Sequence, residues 1–153
     1  MSEPFLDIRG VSKIYRVGSI IGGAKISAVD DVSLALEAVR PQILSIVGES
    51  GSGKTTLARM AARLIQPTAG EIILDGMSTS GSLSRSQMKE FRRRVQPIFQ
   101  NPFESFSSRK TVDTYLFETA QNILGVKGRR EAHAAVDKAL VSVGLSAERV
   151  IGR

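Results

Sequence analysis

The stretch Gly48-Glu49-Ser50-Gly51-Ser52-Gly53-Lys54-Thr55, with Thr56 directly after it, decides how the rest of this sequence is interpreted. It has the spacing G-x-x-x-x-G-K-[ST] of a phosphate-binding loop. Glycines let backbone N–H groups approach phosphate oxygens. Lys54 supplies a positive charge to the β- and γ-phosphates, and the Thr55 hydroxyl is a ligand for Mg²⁺. The sequence therefore predicts a nucleotide site, and Mg-ATP is the expected ligand.

The segments on both sides of the loop support this prediction. Residues 43–47 form a nearly continuous apolar run, which is typical of a strand buried on both faces. After the loop, an apolar stripe predicts a helix from about Lys54 until Pro67 stops it. The stripe consists of Leu57, Met60, Ala61, Leu64 and Ile65. A strand, the loop and an amphipathic helix in this order are the context that a phosphate-binding loop requires.

Further strands are predicted on both sides of this unit. Phe5 to Arg9, Val11 to Arg16 and the alternating segment Ala28 to Leu36 indicate a small antiparallel sheet. Glu71 to Leu74 reads as a strand that ends at the turn Asp75-Gly76. Val95 to Phe99 is predicted as another strand.

Helices are predicted mainly in the second half of the chain. A short helix covers roughly Ser86 to Arg93, and a second runs from about Val112 to Leu124 and ends at Gly125. A third covers about Arg129 to Val143, with Gly144 placed as a left-handed cap.

Composition narrows the class of protein. At 153 residues with 42% hydrophobic content, the chain has room for one domain with a hydrophobic core. It has no cysteine, which excludes disulfides and thiolate metal sites. We find neither a secretory signal nor an apolar run long enough to span a membrane, so we expect a cytoplasmic protein.

The formal net charge of +6 raises the question of a nucleic-acid partner. The densest basic cluster is Arg92-Arg93-Arg94 with Lys89 before it, and Arg129-Arg130 follow far downstream. A solvated helix C-terminus, where cations are favoured, is the preferred interpretation. No aromatic residues interleave with these arginines, as a stacking platform for bases would need.

From the loop outward, the sequence resembles the ATP-binding subunit of ABC transporters, and more narrowly the importers of dipeptides, oligopeptides and nickel. The segment Val11 to Tyr15 matches the place where the family stacks an aromatic residue on adenine, which makes Tyr15 the counterpart here. AVDDVSL before the loop and PTAGEIILDG after it also match. Residues 98–102, IFQNP, match the family's Q-loop, where Gln100 would approach Mg²⁺ and the attacking water.

The resemblance implies an α/β P-loop NTPase fold, the ABC-type nucleotide-binding domain with a RecA-like core and a small antiparallel β subdomain. It divides the chain into a β part at about 1–40, a core at 41–100 and the start of a helical subdomain at 101–153. Lys54 and Gln100 would be the catalytic residues, and Thr55 and Gln100 the metal ligands. The nucleotide would be bound by Tyr15, Gly48, Glu49, Ser50, Gly51, Ser52, Gly53, Lys54, Thr55 and Thr56.

The same resemblance implies partners and a location. A second ATP-binding subunit, identical or different, would complete the site, and permease subunits would dock near the Q-loop. The protein would lie in the cytoplasm, peripheral on the inner face of the membrane, with no nucleic acid expected. Phe103 and Phe106 beside the Q-loop either touch such a partner or, as we prefer, pack in the core.

The sequence also departs from the family. It contains no LSGGQ motif, no acidic strand with a catalytic Glu and no switch His, since its only histidine, His133, lies within a predicted helix. We therefore expect an N-terminal portion of the domain that binds nucleotide with little or no turnover. In the family, later strands separate residues 43–47 from 95–99, and without them these runs lack neighbours. Marginal stability or self-association is the expected consequence, and a sharp two-state melt of a monomer would contradict it.

Two other functions remain open. One is a soluble, non-transport ABC ATPase that acts on DNA or ribosomes, although the coiled-coil or zinc insertions of the DNA-repair kinds are not found here. The other is a non-catalytic nucleotide-binding or regulatory module.

Overall fold

The computed structural model describes residues 4–18, 23–37, 39, 41–101, 106–107 and 109–152. The chain divides into two compact units, Met1–Ser84 and Arg85–Arg153. The first unit contains the strands β1 (Pro4–Val17), β2 (Ala24–Glu37), β3 (Ala69–Leu74) and β4 (Met77–Ser78) and the helix α1 (Lys54–Ala61). The second contains the helices α2 (Arg85–Arg94), α3 (Val112–Thr119), α4 (Arg129–Ser142) and α5 (Ala147–Val150), with a π-helical turn at Ala120–Leu124.

The first unit is built on an antiparallel sheet with the strand order β2-β1-β3-β4. This confirms the predicted N-terminal antiparallel sheet and the strand that ends at Asp75-Gly76. The alternation of apolar residues directs one side of the sheet inward. The core members are Ile8, Val11, Val29 and Ile72 from the sheet and Leu57 and Met60 from α1. The sheet and the helix that follows the loop thus share one core.

Helix α1 ends sooner than the sequence indicates. We predicted that it continues until Pro67, but it ends at Ala61 because Arg63 adopts a left-handed backbone conformation with φ of 54°. The Leu64 N–H then closes the end by donating to the Arg59 carbonyl at 2.8 Å. The Arg63 guanidinium donates to the carbonyl of Thr79 at 2.9 Å and to that of Gly81, which fixes this turn against the loop after β4.

The predictions of strands at residues 43–47 and 95–99 are wrong. Neither segment belongs to a strand, and the side chains of Ile43 and Ile98 are 98% and 96% exposed. Both segments are apolar enough for a buried strand, but neither has a strand partner within the part of the chain that the structure describes. Since a strand exists only through hydrogen bonds to a neighbour, the apolar pattern alone does not produce one.

The second unit contains a small core of its own, and its predicted helices are confirmed. Ala120, Ala132, Val136 and Leu140 are buried together. Gly144, at φ of 75°, caps the end of α4, and the N–H of Leu145 donates to the Leu140 carbonyl at 2.9 Å. The helix predicted to end at Gly125 is present as α3 followed by the π-helical turn. No described helix has the length and apolar character needed to cross a membrane.

Candidate functional site

The glycine-rich loop of the first unit leads directly into α1. The Ser52 N–H donates to the Glu49 carbonyl at 3.2 Å, which closes a tight turn, and Gly51 and Gly53 have φ of 84° and 90°. The first backbone hydrogen bond of α1 runs from the Leu57 N–H to the Gly53 carbonyl at 2.9 Å. The N–H groups of residues 54–56 therefore have no acceptor within the helix, and this end of α1 favours a bound anion.

The ammonium of Lys54 lies over the loop. Its Nζ donates to the carbonyls of Gly48 and Glu49 at 2.8 and 2.6 Å, and the Ser52 hydroxyl oxygen lies 3.4 Å away. These contacts hold the positive charge at the mouth of the loop, beside the N–H groups of the first helical turn. A phosphate oxygen placed there would meet a cation and helix N–H groups together, which is the pairing that favours polyanions.

Gly53 is required for packing as well as for its backbone angle. A Cβ at this position would lie 2.1 Å from the carbonyl oxygen of Ala28 in β2. A Cβ at Gly51, by contrast, would have no heavy atom within 4 Å. The loop is thus pressed against the sheet at Gly53 and open at Gly51, where a ligand can approach the backbone. Ala28 was not among the predicted site residues, because a contact between β2 and the loop is tertiary and leaves no motif in the sequence.

A groove of about 840 Å³ lies beside the loop within the first unit. Its lining includes the stretch Ser27–Asp30 of β2, residues 44–48 and Lys54. Apolar side chains, including Val29, Leu44 and Leu57, line much of it. A charged loop that opens onto a mostly apolar groove suits a ligand with an anionic end and an uncharged body.

Tyr15 lies in β1, which pairs with the strand β2 that contributes to the lining of this groove. Its neighbour Ile14 pairs with Ser27, which lines the groove, and Tyr15 itself pairs with Ile26. The Tyr15 side chain is 38% exposed, and the Lys13 Nζ is 5.4 Å from its ring centroid. One face of the ring is thus taken by a cation, and its role in base binding stays a prediction.

The residues that resemble the Q-loop belong to the second unit. Gln100 is exposed and lies in irregular structure, and its predicted role at the metal stays a prediction. Pro102 and Phe103 lie outside the described residues. Phe106 is half-exposed and its ring meets Tyr115 edge to face, with centroids 5.1 Å apart, so it packs on α3.

A metal ion bound at this loop would have few ligands from the protein. In the described part of the chain, no group of three or more His, Asp or Glu side chains is close enough to hold a metal ion. The Thr55 side chain, exposed in the first turn of α1, fits a Mg²⁺ ion that keeps most of its coordination for phosphate oxygens and water.

Comparison with known proteins supports these geometric findings. The sequence profile described as ABC transporter matches residues 29–152, which include the loop, α1 and most of the second unit. A putative peptide import ATP-binding protein of Brucella ovis is 41% identical over 147 residues, which cover 96% of this chain and 44% of that protein. The oligopeptide transport ATP-binding protein AppF of Bacillus subtilis is 36% identical over 146 residues, covering 94% of this chain and 44% of AppF. The chain therefore spans less than half the length of these relatives.

Solved structures agree on the fold. The ATP-binding cassette MJ0796, in a dimeric post-hydrolysis state with ADP and Pi, superposes with a TM-score of 0.70 at 24% identity. The alignment covers 95% of this chain and 59% of that one. CbiO1 of Clostridium perfringens, described as part of the ABC transporter complex cbiONQ, gives 0.68 at 21% identity, over 97% of this chain and 53% of that one. With the fold and the matched profile in agreement, the chain belongs to the ABC transporter family of ATP-binding proteins.

Proposed function

We propose that this chain binds Mg-ATP through Gly48–Thr56 and is the nucleotide-binding part of a subunit that drives the import of peptides or similar solutes. The observation that carries the proposal is the position of the Lys54 ammonium, which lies over the loop within hydrogen-bonding distance of the Gly48 and Glu49 carbonyls. The solute class comes from the two relatives, whose names describe peptide import and oligopeptide transport.

Each part of the loop would bind a different part of the nucleotide. The N–H groups of residues 54–56, together with those exposed at Gly51, would bind the phosphates. Lys54 would exchange its carbonyl contacts for the β- and γ-phosphates, and Thr55 would hold Mg²⁺. Mg²⁺ would neutralise phosphate charge and so assist attack on the γ-phosphate. Tyr15 would contact the base, and Gln100 would orient Mg²⁺ and water.

The partners follow from the same proposal. A second ATP-binding subunit would pair with the first, and the structure of the ATP-binding cassette MJ0796 is a dimer. Permease subunits would contact the Q-loop region and hold the protein at the inner face of the membrane. Because the sequence contains no LSGGQ motif, catalytic Glu or switch His, the chain by itself would bind ATP without efficient turnover.

Replacing Lys54 tests the site. We expect Lys54→Ala to weaken ATP binding at least about tenfold, because each hydrogen bond to a charged group contributes about 1.5–3 kcal/mol. Titration calorimetry with Mg-ATP measures this, and Lys25→Ala is the matched control, since Lys25 is an exposed lysine of β2 in the same unit. Unchanged affinity in Lys54→Ala, or an equal loss in both variants, would overturn the assignment of the loop.

A further inference from the structure

The net positive charge of this protein belongs entirely to its second unit. Residues 1–84 contain eight Lys and Arg and eight Asp and Glu, whereas residues 85–153 contain 13 Lys and Arg against seven Asp and Glu. The formal charge of +6 is therefore the charge of the second unit. Neither the nucleotide loop nor the groove accounts for this excess, because both lie in the neutral first unit.

Helix α2 concentrates part of the excess on one face. Phe91 is buried at 4% exposure, with Met88 half-buried beside it, and these two residues set the inner face of the helix. Arg85, Lys89 and Arg92 follow at i, i+4 and i+7, a spacing that aligns them along one stripe, which runs beside Met88. All three are exposed. The packing of Phe91 therefore determines which way the stripe faces.

Acidic neighbours do not neutralise this stripe. Glu90, the only carboxylate of α2, pairs instead with Arg94 at 2.8 Å and with Arg93 at 4.0 Å. Within the described ranges of the chain, no ion pair involves Arg85, Lys89 or Arg92. The helix thus separates into a paired edge and a stripe without an acidic partner among the described residues.

A second group of cations follows the π-helical turn against which α2 packs. Helix α2 packs against the π-helical turn, and a Cβ at Gly125 would lie 3.2 Å from the Lys89 Nζ. Lys127, Arg129 and Arg130 follow that glycine within five residues, and all three are exposed. We call Arg85, Lys89, Arg92, Lys127, Arg129 and Arg130 the basic surface.

The second group of cations is not placed where it would stabilise a helix. Arg129 and Arg130 occupy the first turn of α4, where the helix dipole disfavours cations. Gly128 provides no side-chain cap, and Glu131 is the one carboxylate in this turn. The preferred interpretation from the sequence, cations at a helix C-terminus, applies to the last turn of α2 but not to these two arginines. Positive charge at the unfavourable end of a helix is offset when an anion binds there.

We propose that the basic surface contacts anionic phospholipid headgroups of the membrane. Four to eight clustered Lys and Arg are the pattern that binds such a surface. The only aromatic residue of α2, Phe91, is buried, so this helix presents no ring on which the bases of a single-stranded nucleic acid could stack. The inference extends the peripheral location given in the proposed function, but it depends on charge in the second unit and not on the nucleotide site.

Vesicle flotation with the whole chain tests the proposal. We expect binding to vesicles of phosphatidylglycerol and phosphatidylcholine in equal parts, no binding to pure phosphatidylcholine, and loss of binding at high ionic strength. In the variant Arg85→Gln/Lys89→Gln/Arg92→Gln the apparent affinity should fall at least about tenfold, since three cations that attract the anionic surface are removed.

A matched control separates the stripe from net charge alone. Arg16→Gln/Lys25→Gln/Lys138→Gln removes the same charge from exposed positions outside the basic surface and should change vesicle affinity by less than about threefold. Circular dichroism identifies any variant that has not folded, and Arg129→Gln/Arg130→Gln then provides a second test of the same surface. An equal loss in stripe and control variants, or no binding of the unaltered chain to anionic vesicles, would overturn the proposal.

Two further measurements distinguish rival explanations. Stronger binding to a DNA duplex than to anionic vesicles at the same ionic strength would replace the membrane with nucleic acid and overturn the proposal. Lys54→Ala should float with anionic vesicles as the unaltered chain does, so a failure of the ATP site and a failure of the basic surface give different results.

Discussion

Gly51 and Gly53 have nearly the same backbone angle but different surroundings. Both have φ near 90°, a region where a side chain is strained. Only Gly53 is also packed against the backbone of Ala28, whereas Gly51 faces open space. The first glycine therefore keeps the loop accessible to a ligand, and the second joins the loop to the sheet.

Alanine at these two positions should separate the two roles. Gly51→Ala should cost about 1–3 kcal/mol of unfolding free energy, the strain of a side chain in this backbone region. Gly53→Ala should cost a further ~1–3 kcal/mol, because its methyl group would have to displace the Ala28 carbonyl. Urea unfolding of both variants measures the difference, and equal costs would mean that the contact with β2 contributes nothing.

The carboxylate of Asp113 makes the stability of the second unit depend on pH. The Thr111 hydroxyl and the N–H of Thr114 donate to its carboxylate in the first turn of α3, and these bonds lower the pKa of Asp113 below its ordinary value of 3.8. Since the folded pKa lies below the unfolded one, the carboxylate stabilises the fold above the ordinary value. This stabilisation is lost as the pH falls through the folded pKa.

We therefore expect Asp113→Asn to be less stable than the unaltered chain at neutral pH and to lose less stability on acidification. Denaturant unfolding at about pH 7 and about pH 3 measures both effects. Asp137→Asn, which removes an exposed carboxylate from the middle of α4, controls for the change in net charge. The same pH dependence in Asp113→Asn as in the unaltered chain would show that these hydrogen bonds do not matter for stability.

At the scale of elements, residues 43–47 before the loop form an apolar segment whose side chains are largely exposed to solvent. Ile43, Leu44, Ile46 and Val47 are apolar and between 43% and 98% exposed. Backbone groups without a strand partner are a template for pairing with another chain. The self-association expected from the sequence stays a prediction, and this segment, which is not a strand in the folded chain, is where it would occur.

Introducing positive charge into residues 43–47 should weaken the self-association of the chain. We expect Ile43→Lys/Val47→Lys to weaken self-association at least about tenfold, because lysine blocks edge pairing and two apolar side chains no longer leave water. Sedimentation velocity over a concentration series measures it. Val141→Lys/Val143→Lys is the control, since these residues are each 69% exposed but lie at the end of α4. A monomeric unaltered chain, or the same change in both variants, would contradict the prediction.

At the scale of the whole molecule, the nucleotide loop and the excess charge belong to different units. The loop, its groove and Tyr15 lie within residues 1–84, while Gln100 and the basic surface lie within residues 85–153. This boundary falls inside the predicted core segment 41–100, and the predicted three-part division of the chain stays a prediction. Binding of ATP and binding of anionic headgroups should therefore be separable by substitution.

The sequence by itself determined the phosphate-binding loop, the antiparallel sheet and the long helices. These features depend on local chemistry: the spacing of Gly48, Gly53 and Lys54, the alternation in β2, and the glycine cap of α4. Each signal lies within a few residues of the structure that it specifies, so it can be read from the printed order of residues.

Only the tertiary structure decided the contact between Gly53 and Ala28, the early end of α1 at Arg63 and the absence of strands at residues 43–47 and 95–99. Each depends on a partner that is distant in the sequence or not among the described residues. The loop can be recognised from the sequence because its conformation depends on the backbone of its own residues. A strand requires hydrogen bonds to a neighbouring strand, so its apolar residues specify burial only where that neighbour is present.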